Sequence, residues 1–170
     1  MVEVKFSVKK VFPCLVFLCF SLASCTHDES PLLREIQKLE QAAFDGDSMR
    51  VDIRQSLMVK YADFARREGG HAFVPEGLFR RADLLVSAGK FDEAVLQLQD
   101  VHDGFPSFDK RPLCAFLVAF IYDEHLNDRE LAIRSYERTI ALHPESQEAI
   151  MAQQSLTLLP PMLSLIHISE

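Results

Sequence analysis

The strongest constraint on this chain is an internal echo. Ala94, Leu98 and Pro106 recur as Ala132, Tyr136 and Pro144, each 38 residues later. On the segment ahead of each set, Arg81-Ala82 followed by Leu85 parallels Val118-Ala119 followed by Tyr122. A period of this size is the mark of a repeat architecture, in which one supersecondary unit cannot bury its apolar face alone and stacks on its neighbours.

The unit is helical. Ser30 reads as an N-cap with Pro31 at the first helical position, and Leu32, Ile36, Leu39 and Ala43 follow at helical spacing until Asp45-Gly46. A second helix is predicted from Asp47 or Ser48, with Ile53, Leu57, Tyr61 and Phe64 on one face and Arg66 and Arg67 ahead of Gly69-Gly70. Pro75 opens a third, closed at Gly89, and Asp92 and Glu93 start a fourth that ends by Gly104 and Pro106. Pro112 begins a fifth, a sixth spans about 128–142, and a seventh spans about 146–159 before Pro160-Pro161. No stretch alternates with period two, so the fold class is all-α.

The repeated residues resemble the tetratricopeptide pattern: a small residue and a tyrosine on the first helix, alanine and an aromatic on the second, then proline. The likeness is best over residues 75–108 and 112–145, and a degraded earlier unit shows as Leu57, Tyr61 and Phe64 with Gly69 at the proline position. It implies an antiparallel helix-pair solenoid over residues 31–159, a superhelix of about three units plus a capping helix. In such a unit the small residues let paired helices approach closely and the large one fills the hole opposite. Ala82, Ala94, Leu98, Ala119, Ala132 and Tyr136 are then the repeat-packing positions. Alanine stands for the first-helix glycine in both units, Leu78 and Ala115 for its tryptophan, and Arg81 for its leucine. The turn at His125-Leu126-Asn127 carries one extra residue.

The start of the chain points to a compartment. Lys5, Lys9 and Lys10, the apolar run from Val11 to Ser21 and the small residues before Cys25 make a secretory leader over residues 1–24. Leu22-Ala23-Ser24-Cys25 resembles a bacterial lipobox, which implies acylation of Cys25 after cleavage and a polar tether over residues 25–30. The apolar run is shorter than the ~20 residues that a spanning helix needs. Together with the repeats, this is similar to the tetratricopeptide lipoproteins of outer-membrane assembly. The resemblance implies a cell-envelope location at the outer membrane, facing the periplasm. Residues 163–170 look like the translation of a transposase mosaic end used in sequencing libraries, so they are set aside as not native.

Composition narrows the partners. With 18 basic and 25 acidic residues the chain carries a net charge of −7. That balance offers no basic footprint for nucleic acid or for lipid headgroups. Beyond the leader only Cys25 and Cys114 remain, so no intramolecular disulfide is expected, and Cys114 reads as a small buried hydrophobe. No phosphate loop, zinc-protease motif or nucleophile elbow is present. Asp123-Glu124-His125 reads as a solvated helix end, and His27, His71, His102 and His143 suggest no cluster. No enzyme activity, cofactor or metal is expected.

The resemblance also implies a concave groove. The positions three before and one after the small residue of the first helix face it, which gives Phe79 and Asp83 in one unit and Phe116 and Phe120 in the next, with Asp123 continuing the face. An aromatic groove edged by carboxylates suits a partner segment with apolar side chains and Lys or Arg. Core packing against the neighbouring unit is an equal alternative for Phe116 and Phe120. The expected function is a lipid-anchored scaffold that binds another envelope protein. The alternative is a non-catalytic accessory domain of an envelope-polymer hydrolase whose catalytic part lies beyond the truncated end.

Overall fold

The computed structural model describes residues 30–43 and 50–159. The leader, Cys25, the tether up to residue 29, the stop at Asp45-Gly46, the start of the second helix at Asp47 or Ser48, Pro160-Pro161 and residues 163–170 all lie outside the described residues.

Seven helices account for the described residues: α1 (Pro31–Ala43), α2 (Val51–Arg67), α3 (Val74–Ser87), α4 (Phe91–Gly104), α5 (Arg111–Glu124), α6 (Arg129–Leu142) and α7 (Gln147–Leu158). No strand occurs among them, so the described chain is all-α. Proline sits in the first turn of α3 and of α5, where its missing N–H costs nothing. Ser146 caps α7 through Ala149 N–H, and Asp128 caps α6 through Leu131 N–H.

From α2 to α7 each helix packs on the next, and α5 also touches α7. One apolar cluster runs from Leu33 and Ile36 in α1 through to Ile121 in α5. A second, smaller one joins α5, α6 and α7 around Phe116, Ala119, Ala132, Tyr136 and Ala152. Ala82, Ala94, Ala119 and Ala132 are wholly buried, with Leu98 and Tyr136 almost so. At the α2–α3 contact a bare backbone is needed as well. A Cβ on Gly77 would meet Tyr61 Cδ1 at 3.2 Å and the Phe73 ring at 3.3 Å.

The α3–α4 and α5–α6 turns share a geometry that their sequences hide. Gly89 (φ 74) between α3 and α4 and Asn127 (φ 53) between α5 and α6 are the two left-handed residues of the described chain. They stand at the same 38-residue offset as Ala94 and Ala132. Each is followed by an N-cap of similar backbone shape, Lys90 (φ −94, ψ 62) and Asp128 (φ −92, ψ 86). Glycine and asparagine are the residues that tolerate this conformation. The extra residue of the second turn is absorbed just before Asn127. Lys90 N–H reaches back to Leu85 O, whereas Asp128 N–H reaches one residue further, to Tyr122 O.

Arg81 has a polar job between helices. Its Nη1 donates to Gln97 Oε1 of α4 at 2.5 Å and its Nε to Met58 O of α2 at 3.2 Å, tying α3 to both neighbours.

Candidate functional site

Helical spacing on α3 puts Phe79, Asp83 and Val86 along one flank, since residues three and four apart share a face. On α5 the same spacing presents Leu117, Phe120 and Ile121. Between these flanks, floored by Ala82 and Leu98, lies a cleft of about 300 Å³ lined mainly by apolar side chains. Phe79 is half-buried, with its ring centroid 6.2 Å from that of Phe108 and the Lys110 ammonium 5.0 Å above it. Phe120 is 38 % exposed and meets His125 edge-on at 6.1 Å. His125 in turn lies flat on Phe91 of α4, with centroids 4.4 Å apart and planes at 6°. The α5–α6 turn is thereby fixed at one end of the cleft.

The charges at the rim are mostly spent on one another. Arg80 donates from Nη1 to Glu40 of α1 at 2.7 Å and from Nε to Glu76 at 2.8 Å, and Lys110 donates to Glu76 at 2.7 Å. The Tyr61 hydroxyl donates to Glu40 as well. Burial works against the Glu76 carboxylate, yet the hydrogen bonds from Lys110 and Arg80 outweigh it and hold the group below its ordinary range. Two carboxylates and two cations leave this chain of contacts neutral. Asp83 differs: it is exposed and makes no ion pair among the described residues.

The cleft therefore holds Phe79, Asp83 and Phe120 of the expected groove residues, while Phe116 and Asp123 face elsewhere. Phe116 is 7 % exposed and packs in the second cluster, 5.7 Å from the Tyr136 ring and 6.4 Å from that of Phe120. Asp123 accepts the Tyr136 hydroxyl at 3.2 Å. Burial first, and the nearby Asp123 carboxylate, push that phenol up to about 12, so it stays a donor. Phe120 sits at the boundary of the two regions, one helical turn beyond Phe116.

The histidines need a correction. His102 and His143, read as scattered, are partners 41 residues apart, with Nε2 to Nε2 at 2.9 Å. Asp103 Oδ1 lies 2.5 Å from His102 Nδ1, and a carboxylate only accepts, so Nδ1 carries a proton, which in a neutral His102 leaves Nε2 to accept from His143. Their sequence spacing follows no motif, and only the fold brings His102 of α4 to His143, the residue that caps the end of α6. No group of three or more His, Cys, Asp or Glu side chains is placed to hold a metal ion among the described residues. Cys114 is wholly buried, and burial pushes its thiol up to about 12. No family model matches the chain, and the search of curated proteins finds no similar one.

Proposed function

We propose that this chain is a non-enzymatic docking module of the cell envelope, anchored through acylated Cys25, whose helices continue a tetratricopeptide-like solenoid. The observation that carries the docking role is the α3–α4–α5 cleft. Two phenylalanines and one unspent carboxylate, contributed by α3 and α5, converge on an apolar hollow. Aromatic anchors in a desolvated pocket account for most of the affinity of a protein interface, and a facing charge fixes the register. The partner is a protein segment with an apolar anchor and a nearby Lys or Arg. The solenoid reading is supported by the left-handed turn residues at the repeat spacing and by the buried alanines.

The test is co-purification from detergent-solubilised membranes after reversible cross-linking. Phe79→Ala combined with Asp83→Lys should remove the captured partner while the helical circular-dichroism signal stays intact. An unchanged set of partners on a folded double variant would move the binding surface off this cleft. Lipidation is tested separately by radiolabelled fatty acid, which should mark the wild type and not Cys25→Ala.

A further inference from the structure

A second cleft, of about 490 Å³, opens between α1, α2 and α3. Leu57 and Tyr61 of α2 and Leu84 of α3 give it apolar walls, with Gln41 of α1 at its edge. It shares two residues with the α3–α4–α5 cleft, Arg80 and Asp83. The outward ridge of α3 thus divides two apolar hollows. On that ridge Arg80 is held by Glu40 and Glu76, and Asp83 is left as the one uncompensated charge between the hollows.

This arrangement has a spacing. The hollows lie on either side of one helix, whose diameter with side chains is about 10–12 Å. Anchors that fill both therefore stand about 10–12 Å apart, with a cation between them. An extended segment fits poorly, because its same-face side chains repeat at about 7 Å and then about 13 Å. A helix fits well: residues i and i+7 share a face about 10.5 Å apart, and i+3 or i+4 lies between them on that face.

We infer that the two clefts form one bipartite site for an amphipathic helix bearing apolar residues at i and i+7 and a lysine or arginine at i+3 or i+4. The inference rests on the docking role proposed above and specifies its ligand. The polar chain Tyr61–Glu40–Arg80–Glu76–Lys110 holds the ridge rigid and electrically neutral, so Asp83 alone selects the sign of the incoming charge.

The test uses fluorescein-labelled, side-chain-stapled helical peptides and fluorescence anisotropy with the full chain in detergent solution. The matched peptide has leucine at i and i+7 and lysine at i+3. Its two controls carry glutamate at i+3, or leucines at i and i+4. The matched peptide should bind at least about tenfold tighter than either control, a ratio equivalent to about 1.4 kcal/mol. Asp83→Lys should reverse the preference between lysine and glutamate. Gln41→Trp, which plugs the α1–α3 hollow from its exposed edge, should abolish discrimination between the two leucine spacings while keeping the charge preference.

Equal binding of the matched and re-spaced peptides to the unmodified chain would overturn the bipartite site. Indifference to the sign at i+3 would overturn the role of Asp83, and no binding of the matched peptide would overturn both. The docking role itself is judged by cross-linked partners rather than by these peptides, so its failure is read separately.

Discussion

Truncating Phe116 to alanine separates the core of the α5–α7 region from the cleft beside it. Phe116 is 7 % exposed, and its neighbours are fixed residues of three helices: Ala119, Ala132, Tyr136 and Ala152. Burying a phenylalanine ring contributes about 2–3 kcal/mol of transfer free energy. The void left among small alanines, about 80 Å³ at about 24 cal/mol per Å³, adds about 2 kcal/mol. Phe116→Ala should therefore cost about 3–5 kcal/mol, the lower figure applying if Tyr136 tips into the space. Phe79→Ala is the internal comparison. Its ring is half-buried and borders an open cleft, so about half the transfer term is lost, about 1–1.5 kcal/mol, and no closed cavity forms. Urea denaturation followed by circular dichroism gives both values from midpoints at a common slope. A Phe116→Ala cost no larger than that of Phe79→Ala would refute the assignment of Phe116 to the core.

Other expectations follow from packing, backbone and titration. Ala94→Leu and Ala132→Leu should each cost about 1–3 kcal/mol by overpacking wholly buried sites, measured in the same urea series. Gly89→Ala should cost about 1 kcal/mol from its positive φ alone, since a Cβ there meets no atom, whereas Asn127→Gly should be neutral or stabilising in thermal melts. Burial first, then the proximity of His102 and Arg111, holds His143 below its ordinary value of 6.5, against the opposing pull of Glu148. The unfolded chain then binds the proton first. The contribution of His143 is complete above about pH 6.5 and falls as pH drops through its lowered folded value. Melting temperature should decline between pH 7.5 and 5.5, and His143→Gln should flatten that decline; an equal slope in both proteins would show that His143 does not set it.

The helices were legible because proline and glycine punctuate them: Pro75, Gly89, Gly104 and Pro112 fall within about a residue or two of observed ends. Ala94 and Ala132 were marked by the 38-residue echo, and Ala82 and Ala119 by the parallel segments ahead of them; all four are buried. Phe116 could not be assigned by pattern alone. It lies one helical turn from Phe120, and a modest rotation of α5 about its axis decides which ring meets Tyr136 and which meets the cleft. The His102–His143 pair and the Glu40–Arg80–Glu76–Lys110 chain were invisible for a different reason. Apart from Glu76 and Arg80, an i,i+4 pair within α3, the links join residues far apart in the chain, Arg80 and Glu40 being 40 apart, at a spacing that no local periodicity records. Arg81 was legible only as a departure from the repeat pattern. Its partners, Met58 O and Gln97, become evident once three helices are in place.

The docking claim is tested most directly by where a partner touches the molecule. A photo-cross-linking amino acid placed at Asp83, on the ridge of α3, reports contacts at the cleft. The same group at Leu96 reports an exposed apolar position, 61 % accessible, on α4 away from the cleft lining. Irradiation of intact cells, followed by denaturing purification, should give a discrete adduct from position 83 and none from position 96, and Phe79→Ala should erase the adduct at 83. Adducts from position 96 alone, or an adduct at 83 that survives Phe79→Ala in a folded protein, would contradict the cleft as the place where this chain meets its partner.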